Sequence, residues 1–393
     1  MKINKKDPKH WLYLAKSGTY IMASIALRPF LRKNQRKVVT LYGHKYNGNL
    51  KTFAEYCLAR GEYTVYFVTL DPAYYRELQQ LDCGVEFLFL QNFRHVLKVS
   101  RSDAVVSDRR AHILVYYLWL TRMPFFDVWH GIQMFKKFAP PDMAMLKSYR
   151  EIWVPSPAFE KVYIDDYLLP PEKIKVTGYG RVDPLVNGSY DETAIKRKYG
   201  IAESYDKIIL LAPTWQQDDP TRQVIPFGEE PDHFLGALDA VAKKFNALVI
   251  FRAHLNTNAQ NRANLHTMDN VRVMSHNDYP LSEEFLAITD IFIGDWSSIA
   301  FDYLPLHRPA IFLDVPVPFS HGLTFGKEHR YGQLVRSLDE LVAAIDHYAS
   351  HPEAFMQEHG EQVAKTEDIA YGDTLDGKSN QRYYERLQRI IGV

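Results

Sequence analysis

At 393 residues, 46% hydrophobic and 24% charged, the chain has an ordinary globular balance and the length of two domains, each large enough for its own core. Its 47 basic and 47 acidic side chains cancel, which argues against the strong basic field of a nucleic-acid partner. Two cysteines, Cys57 and Cys83, in apolar settings read as buried thiols of a reducing compartment and exclude a disulfide framework.

Residues 1–37 carry ten basic side chains against one acid, Asp7. The best apolar window there, Tyr20 to Leu31, is interrupted by Arg28 and Pro29 and is too short to span a bilayer. It is also a poor signal peptide. Trp11, Tyr13 and Tyr20 interleave with lysines, which fits either an in-plane segment on an anionic membrane surface or a basic helix packed on the protein itself.

The next stretch alternates strands and helices. Strands are expected at Val38–Tyr42, Tyr63–Leu70, Val85–Leu90, Ala104–Ser107, Phe125–Trp129, Ile152–Val154 and Ile174–Thr177, with a helix over Leu50–Arg60. A polar, turn-rich segment, Asn187–Asp206, looks like the interdomain joint, and the pattern then restarts. Strands are expected at Ile208–Leu211, Leu248–Phe251, Val271–Val273, Ile291–Ile293 and Ala310–Leu313, with a helix over Phe234–Phe245. The fold class that follows is α/β, with two doubly wound, Rossmann-like domains facing a central cleft. The expected division is a basic segment 1–37, a first α/β domain 38–190, a second α/β domain 191–375 and a tail 376–393. The final helical stretch of that tail, Gln381–Ile391, would cross back onto the first domain.

Polar residues follow the strands, where such sheets put their ligands. Ile291–Ile293 ends in Gly294 and Asp295, and Ser297 and Ser298 precede an apolar helical run. Free N–H groups and two hydroxyls at a helix start suit a phosphate, although Ser is an ordinary N-cap as well. His130, beside Gly131 and ahead of Lys136 and Lys137, is a candidate general base or a structural strand-end histidine. Arg252 and His254, two apart after a strand, can both donate to a phosphate or can serve in an ion pair and a cap. Gly178-Tyr179-Gly180-Arg181-Val182-Asp183 and Ala212-Pro213-Thr214-Trp215 are further post-strand turns. No Walker lysine loop, GxGxxG or Asp-x-Asp spacing is present. Asp165-Asp166 and Asp218-Asp219 are adjacent pairs whose carboxylates diverge. No metal site and no cofactor are therefore expected.

Taken in order, Trp129-His130-Gly131 with Lys136-Lys137, the Gly178–Asp183 turn, Ala212–Trp215, Arg252-Ala253-His254, Asp295–Ser298 with Phe301-Asp302-Tyr303, Arg308–Phe312 and Asp376-Gly377 with Arg382 resemble the CDP-glycerol glycerophosphotransferase family of teichoic-acid primases and polymerases. The resemblance spans roughly residues 125–382. It implies a GT-B-like fold, peripheral attachment to the cytoplasmic face of the membrane and transfer of a polyol phosphate from CDP-glycerol to a lipid-linked saccharide or glycerol phosphate, with release of CMP. It implies an acceptor-binding domain 38–190 and a CDP-donor-binding domain 191–375, with His130 at the acceptor hydroxyl and Trp129, Gly131, Lys136 and Lys137 around it. His254, catalytic as well, would hold the donor with Arg181, Thr214, Arg252, Asp295, Ser297, Ser298 and Asp302. Three departures stand out: Ile132-Gln133-Met134 after the Trp-His-Gly, Gly180 and Val182 in the arginine turn, and His321–Tyr331 where a Gly-Pro tract is usual. The family's polymerases often carry an additional N-terminal region for which this chain has no room, an expectation that favours a primase or short-chain transferase. A CDP-ribitol phosphotransferase, a nucleotide-sugar glycosyltransferase of the same fold and a non-catalytic nucleotide-binding protein are the alternatives.

Overall fold

The computed structural model describes residues 8–32, 34–110, 112–214, 223, 225–252, 266–275 and 279–392. The chain forms two compact units: residues Met1–His130, Pro140–Asp183 and Lys378–Val393 make the first, and Gly131–Ala139 with Pro184–Gly377 the second.

The first unit is built on a seven-stranded, wholly parallel sheet in the order β3-β2-β1-β4-β5-β6-β7. Its strands are Lys37–Tyr42, Tyr63–Thr69, Glu86–Phe89, Ala104–Ser107, Phe125–Asp127, Glu151–Val154 and Ile174–Val176. β4, β5 and β6 are buried at every position, as a parallel sheet covered on both faces requires. The order reverses between β1 and β4, so their carboxyl ends diverge and leave a crevice.

The second unit carries a six-stranded parallel sheet, β10-β9-β8-β11-β12-β13. Its strands are Lys207–Leu211, Ala247–Phe251, Val271–Val273, Ile291–Gly294, Ala310–Leu313 and Gln333–Val335. Numbered from its own first strand, the order is again 3-2-1-4-5-6, with the switch between β8 and β11.

The closing helix, Ser379–Ile391, belongs to the first unit. Tyr383 stacks on Trp153, with ring centroids 4.7 Å apart. Arg386 forms two 2.6 Å hydrogen bonds to the buried Glu151, a bidentate pairing that fixes orientation as well as charge. Asp183 caps the helix, accepting from the Ser379 and Asn380 backbone N–H groups.

The main passage of the chain into the second unit falls after Asp183, earlier than the joint expected at 190/191, and Glu192–Lys198 is a helix of the second unit. Gly131–Ala139 also belongs to the second unit, through backbone bonds of Thr324 and Phe325 to the carbonyls of Phe135 and Met134. Within residues 1–37, Pro8–Leu27 is one helix with Ser17, Ile21 and Ser24 buried against its own unit. Ser24 Oγ meets the Tyr117 hydroxyl at 2.7 Å. The helix packs on its own unit along that face and leaves Trp11, Leu12, Met22 and Leu27 exposed. Among the described residues no helix is long and apolar enough to cross a membrane. Cys57 is buried as expected, whereas Cys83 is only half buried.

Candidate active site

In the first unit the crevice at the switch point gathers the loops after β1, β4 and β5. β5 stops at Asp127, two residues sooner than the apolar run suggests, because Trp129 takes the left-handed φ of +40°. That turn exposes His130. The His130 Nδ1 lies 3.2 Å from the Asp108 carbonyl oxygen. A carbonyl only accepts, so Nδ1 carries the proton and Nε2 keeps its lone pair. Arg181 Nη1 donates to the His130 carbonyl at 2.5 Å. Asn49 ties the same loop down: its Nδ2 donates to the Val128 and Trp129 carbonyls, and its Oδ1 accepts from Arg181 N.

Desolvation, and the positive charges of Arg109, Arg110 and Arg181, hold the His130 pKa well below the ordinary imidazole value, against the pull of the Asp108 carbonyl. His130 is thus neutral, and accepting, at neutral pH.

Behind it sit two buried carboxyls. Asp108 is pushed up to about 6 by burial, with Arg109 and Arg181 opposing. Asp127, fully buried, is pushed up to about 7 by burial, with Arg110 opposing and the Asp108 charge adding. The Arg110 guanidinium stacks 3.5 Å from the Trp129 ring centroid. Gly43 makes room for this arrangement: a Cβ there would stand 2.9 Å from Asp108 Oδ1 and 2.5 Å from Leu50.

The glycines of the Gly178–Asp183 turn serve the closing helix. Tyr383 donates to the Gly178 carbonyl at 2.9 Å, Asn380 Nδ2 donates to the Gly180 carbonyl, and a Cβ at Gly180 would lie 2.2 Å from Asn380 Oδ1. Arg181, expected on the donor diphosphate, is buried in the first unit as a support of the His130 loop.

In the second unit the strand ends are clamped internally. Asp295 Oδ1 accepts from Thr214 N at 2.8 Å, Thr214 Oγ1 at 2.5 Å and Trp296 N at 2.5 Å. Asp295 and Thr214 are both buried and spend these groups on joining β8 to β11 across the switch point. Arg252 is turned inward as well. Its Nη2 donates to the Tyr279 carbonyl and Ser282 Oγ, its guanidinium lies 4.7 Å from the Phe285 ring centroid, and burial lowers its pKa to about 10. Asp302, expected on the donor, is buried.

Ser297 is half buried and Ser298 exposed, and neither hydroxyl makes a hydrogen bond among the described residues. The helix they precede is only Ile299–Tyr303, with no side-chain cap, so the expected dipole is small and the hydroxyls are the donors on offer. Lys136 and Lys137, expected in the acceptor domain, are half exposed on the second unit, where Lys136 bridges to Leu323 and Lys137 N donates to the Gly322 carbonyl. Gly131 heads the same segment. Trp215, Asp218, Asp219, Ala253 and His254 lie outside the described residues.

Asn49, Asp108, Arg109, Arg110 and Asp127 were not among the expected site residues. The Ser107-Asp108-Arg109-Arg110 run directly after a buried strand was the available signal.

Residues 21–389 match the family described as CDP-glycerol:poly(glycerophosphate) glycerophosphotransferase. The chain belongs to that family. It is 25% identical over 307 residues to the teichoic acid ribitol-phosphate polymerase TarK of Staphylococcus aureus (strain NCTC 8325 / PS 47), with 69% of this chain and 57% of TarK covered. It is 23% identical over 303 residues to the teichoic acid glycerol-phosphate transferase of the same strain, covering 71% of this chain and 74% of that one. The chain spans little more than half the length of the first curated relatives it matches, 57% and 53%. The solved structure of the wall teichoic acid polymerase TagF superposes with a TM-score of 0.72 at 18% identity, covering 98% of each chain. The family fold is therefore the GT-B-like pair of parallel-sheet units described above.

Proposed function

We propose that this chain transfers glycerol phosphate from CDP-glycerol to a hydroxyl of a lipid-linked acceptor, with release of CMP, in the synthesis of a teichoic-acid-like polymer. The observation that carries the reading is His130, neutral, exposed and oriented by the Asp108 carbonyl so that Nε2 is the accepting nitrogen. The acceptor O–H gives its proton to Nε2. The oxygen attacks the β-phosphorus, the bond from that phosphorus to the bridging oxygen breaks, and the oxygen leaves on CMP. Ser297 and Ser298, with their unengaged hydroxyls, are assigned to the donor diphosphate, together with His254. Membrane attachment would be peripheral and cytoplasmic-facing, through the basic first 37 residues and the exposed apolar side chains of Pro8–Leu27.

The likeness to TarK favours a second reading in which the donor is CDP-ribitol. Incubation of the purified protein with each radiolabelled CDP-polyol and a synthetic lipid-linked acceptor separates the two. CMP release with only the glycerol donor supports the first reading, and release with only the ribitol donor replaces it. The absence of Asp-x-Asp spacing from the sequence leads us to propose metal independence: activity should survive EDTA, and a loss restored by added Mg²⁺ would show a metal requirement.

A further inference from the structure

One apolar feature of the first unit has no part in the phosphate-transfer chemistry above. Between the helices Pro8–Leu27 and Val115–Thr121 lies a groove of about 520 Å³. Trp11, Ala15, Gly18, His112, Tyr116 and Trp119 are among its lining residues. Trp11 is 52% exposed and Trp119 is 51% exposed, so large aromatic surface stands in water on both walls.

Gly18 sits inside a helix, where glycine costs roughly 0.5–1 kcal/mol relative to alanine. Packing does not require it: a Cβ there would meet nothing within 4 Å. What Gly18 does is keep the groove floor open.

The groove also has a direction. His112 lines it, and His112 Nε2 lies 3.2 Å from the Tyr149 hydroxyl, which contacts the carbonyls of Arg109 and Arg110 at 3.1 Å. Those two arginines lower the His130 pKa. The His112 end of the groove is thus tied through the buried Tyr149 to the backbone of the cationic loop beside the candidate base, a placement that suits a ligand with a hydrocarbon chain at one end and a phosphate at the other.

We propose that this groove takes the hydrocarbon chain of the lipid-linked acceptor and so presents its phosphate-bearing end to the Arg109–Arg110 loop. The proposal rests on the acceptor being lipid-linked, as in the reading above. Bulk bilayer lipid is the competing occupant. The link from His112 through Tyr149 to the Arg109 and Arg110 carbonyls favours the substrate's own chain.

The test compares one phosphosaccharide acceptor carrying either a long prenyl chain or a methyl ester, in the full-length protein. The native protein should prefer the prenyl form through KM. Gly18→Leu, which fills the floor with a better helix former, should raise KM for the prenyl acceptor about tenfold and collapse that preference with kcat little changed. A preference that survives Gly18→Leu overturns the proposal. So does an equal loss with both acceptors accompanied by weaker binding to phosphatidylglycerol vesicles, which would make the face a bilayer contact. If the native protein uses neither acceptor, the transferase reading fails by itself, and a diazirine-bearing alkyl phosphate still decides the groove. Labelling concentrated on Ala15, Gly18 or Trp119 supports the site, and labelling elsewhere overturns it.

Discussion

The two units share one strand order and use their switch points in opposite ways. In the first, β1, β4 and β5 end in a charged, partly buried cluster: His130 held by carbonyls, three arginines around it and the carboxyls of Asp108 and Asp127 behind. In the second, β8 and β11 end in a clamp that consumes its own charge, with Asp295 holding Thr214 and Trp296 and Arg252 turned onto Phe285. Among the described residues of these two strand ends, what remains available is the pair of hydroxyls on Ser297 and Ser298. A tuned base needs fixed charges nearby, whereas a ligand that brings its own charges needs donors on a stiff frame. The same fold supplies either, according to whether the strand-end side chains bond outward or to one another.

The sharpest break in that comparison is His130→Ala. Loss of a general base costs about 100-fold or more in kcat. CDP affinity, assigned to the second unit, should stay nearly unchanged in calorimetry. Near-normal turnover would move the base elsewhere.

Asp127→Asn tests whether the charge cluster is really held at a cost. Burial raises the Asp127 pKa to about 7, so the folded state binds this proton more tightly than the unfolded chain. Such a carboxyl supports the fold fully below the ordinary carboxyl range and loses that support as pH climbs through about 7. Asparagine has no proton to lose. Its stability relative to the native protein should therefore rise from about pH 5 to about pH 8, by on the order of 2 kcal/mol in urea unfolding. A difference independent of pH would mean Asp127 ionises freely in the fold.

On the second unit, Ser297→Ala with Ser298→Ala should weaken CDP binding about tenfold, since a hydrogen bond to a charged group contributes about 1.5–3 kcal/mol. The fold should be unaffected, because neither hydroxyl bonds to the protein among the described residues. Unchanged CDP affinity would leave the donor to other groups.

Much of the architecture was legible because buried parallel strands are short continuous apolar runs: Ala104–Ser107, Val271–Val273 and Ala310–Leu313 fall where the residues put them. Trp129 was misread as strand because its left-handed φ is a tertiary arrangement, held by Asn49 and Arg110, and not a propensity. His130, Ser297 and Ser298 were legible as polar residues just past strands. The direction of their neighbours was not. Arg252, Asp295 and Asp302 sit at equally suggestive positions yet point inward, and spacing along a chain carries no information on which way a strand-end side chain turns. Asn49 was invisible for a related reason: its partners, Val128, Trp129 and Arg181, are remote in sequence and meet it only in the folded unit.

The smallest expected effect sharpens the comparison most finely. Arg109 is 40% exposed in its side chain and lowers the His130 pKa. Arg109→Gln keeps a polar side chain of similar reach and removes the charge. His130 should then bind its proton more readily, and the acidic limb of kcat/KM should move upward by a fraction of a unit. Because the charge is partly solvated, the shift should be largest at low ionic strength and shrink near 1 M salt, where the screening length is about 3 Å. The Ser297→Ala/Ser298→Ala protein should keep the native limb under the same conditions, since hydroxyls of the second unit carry no charge to the imidazole. A limb that fails to move at low salt would show that the arginines do not set the base, and that the first unit's charge cluster serves its fold alone.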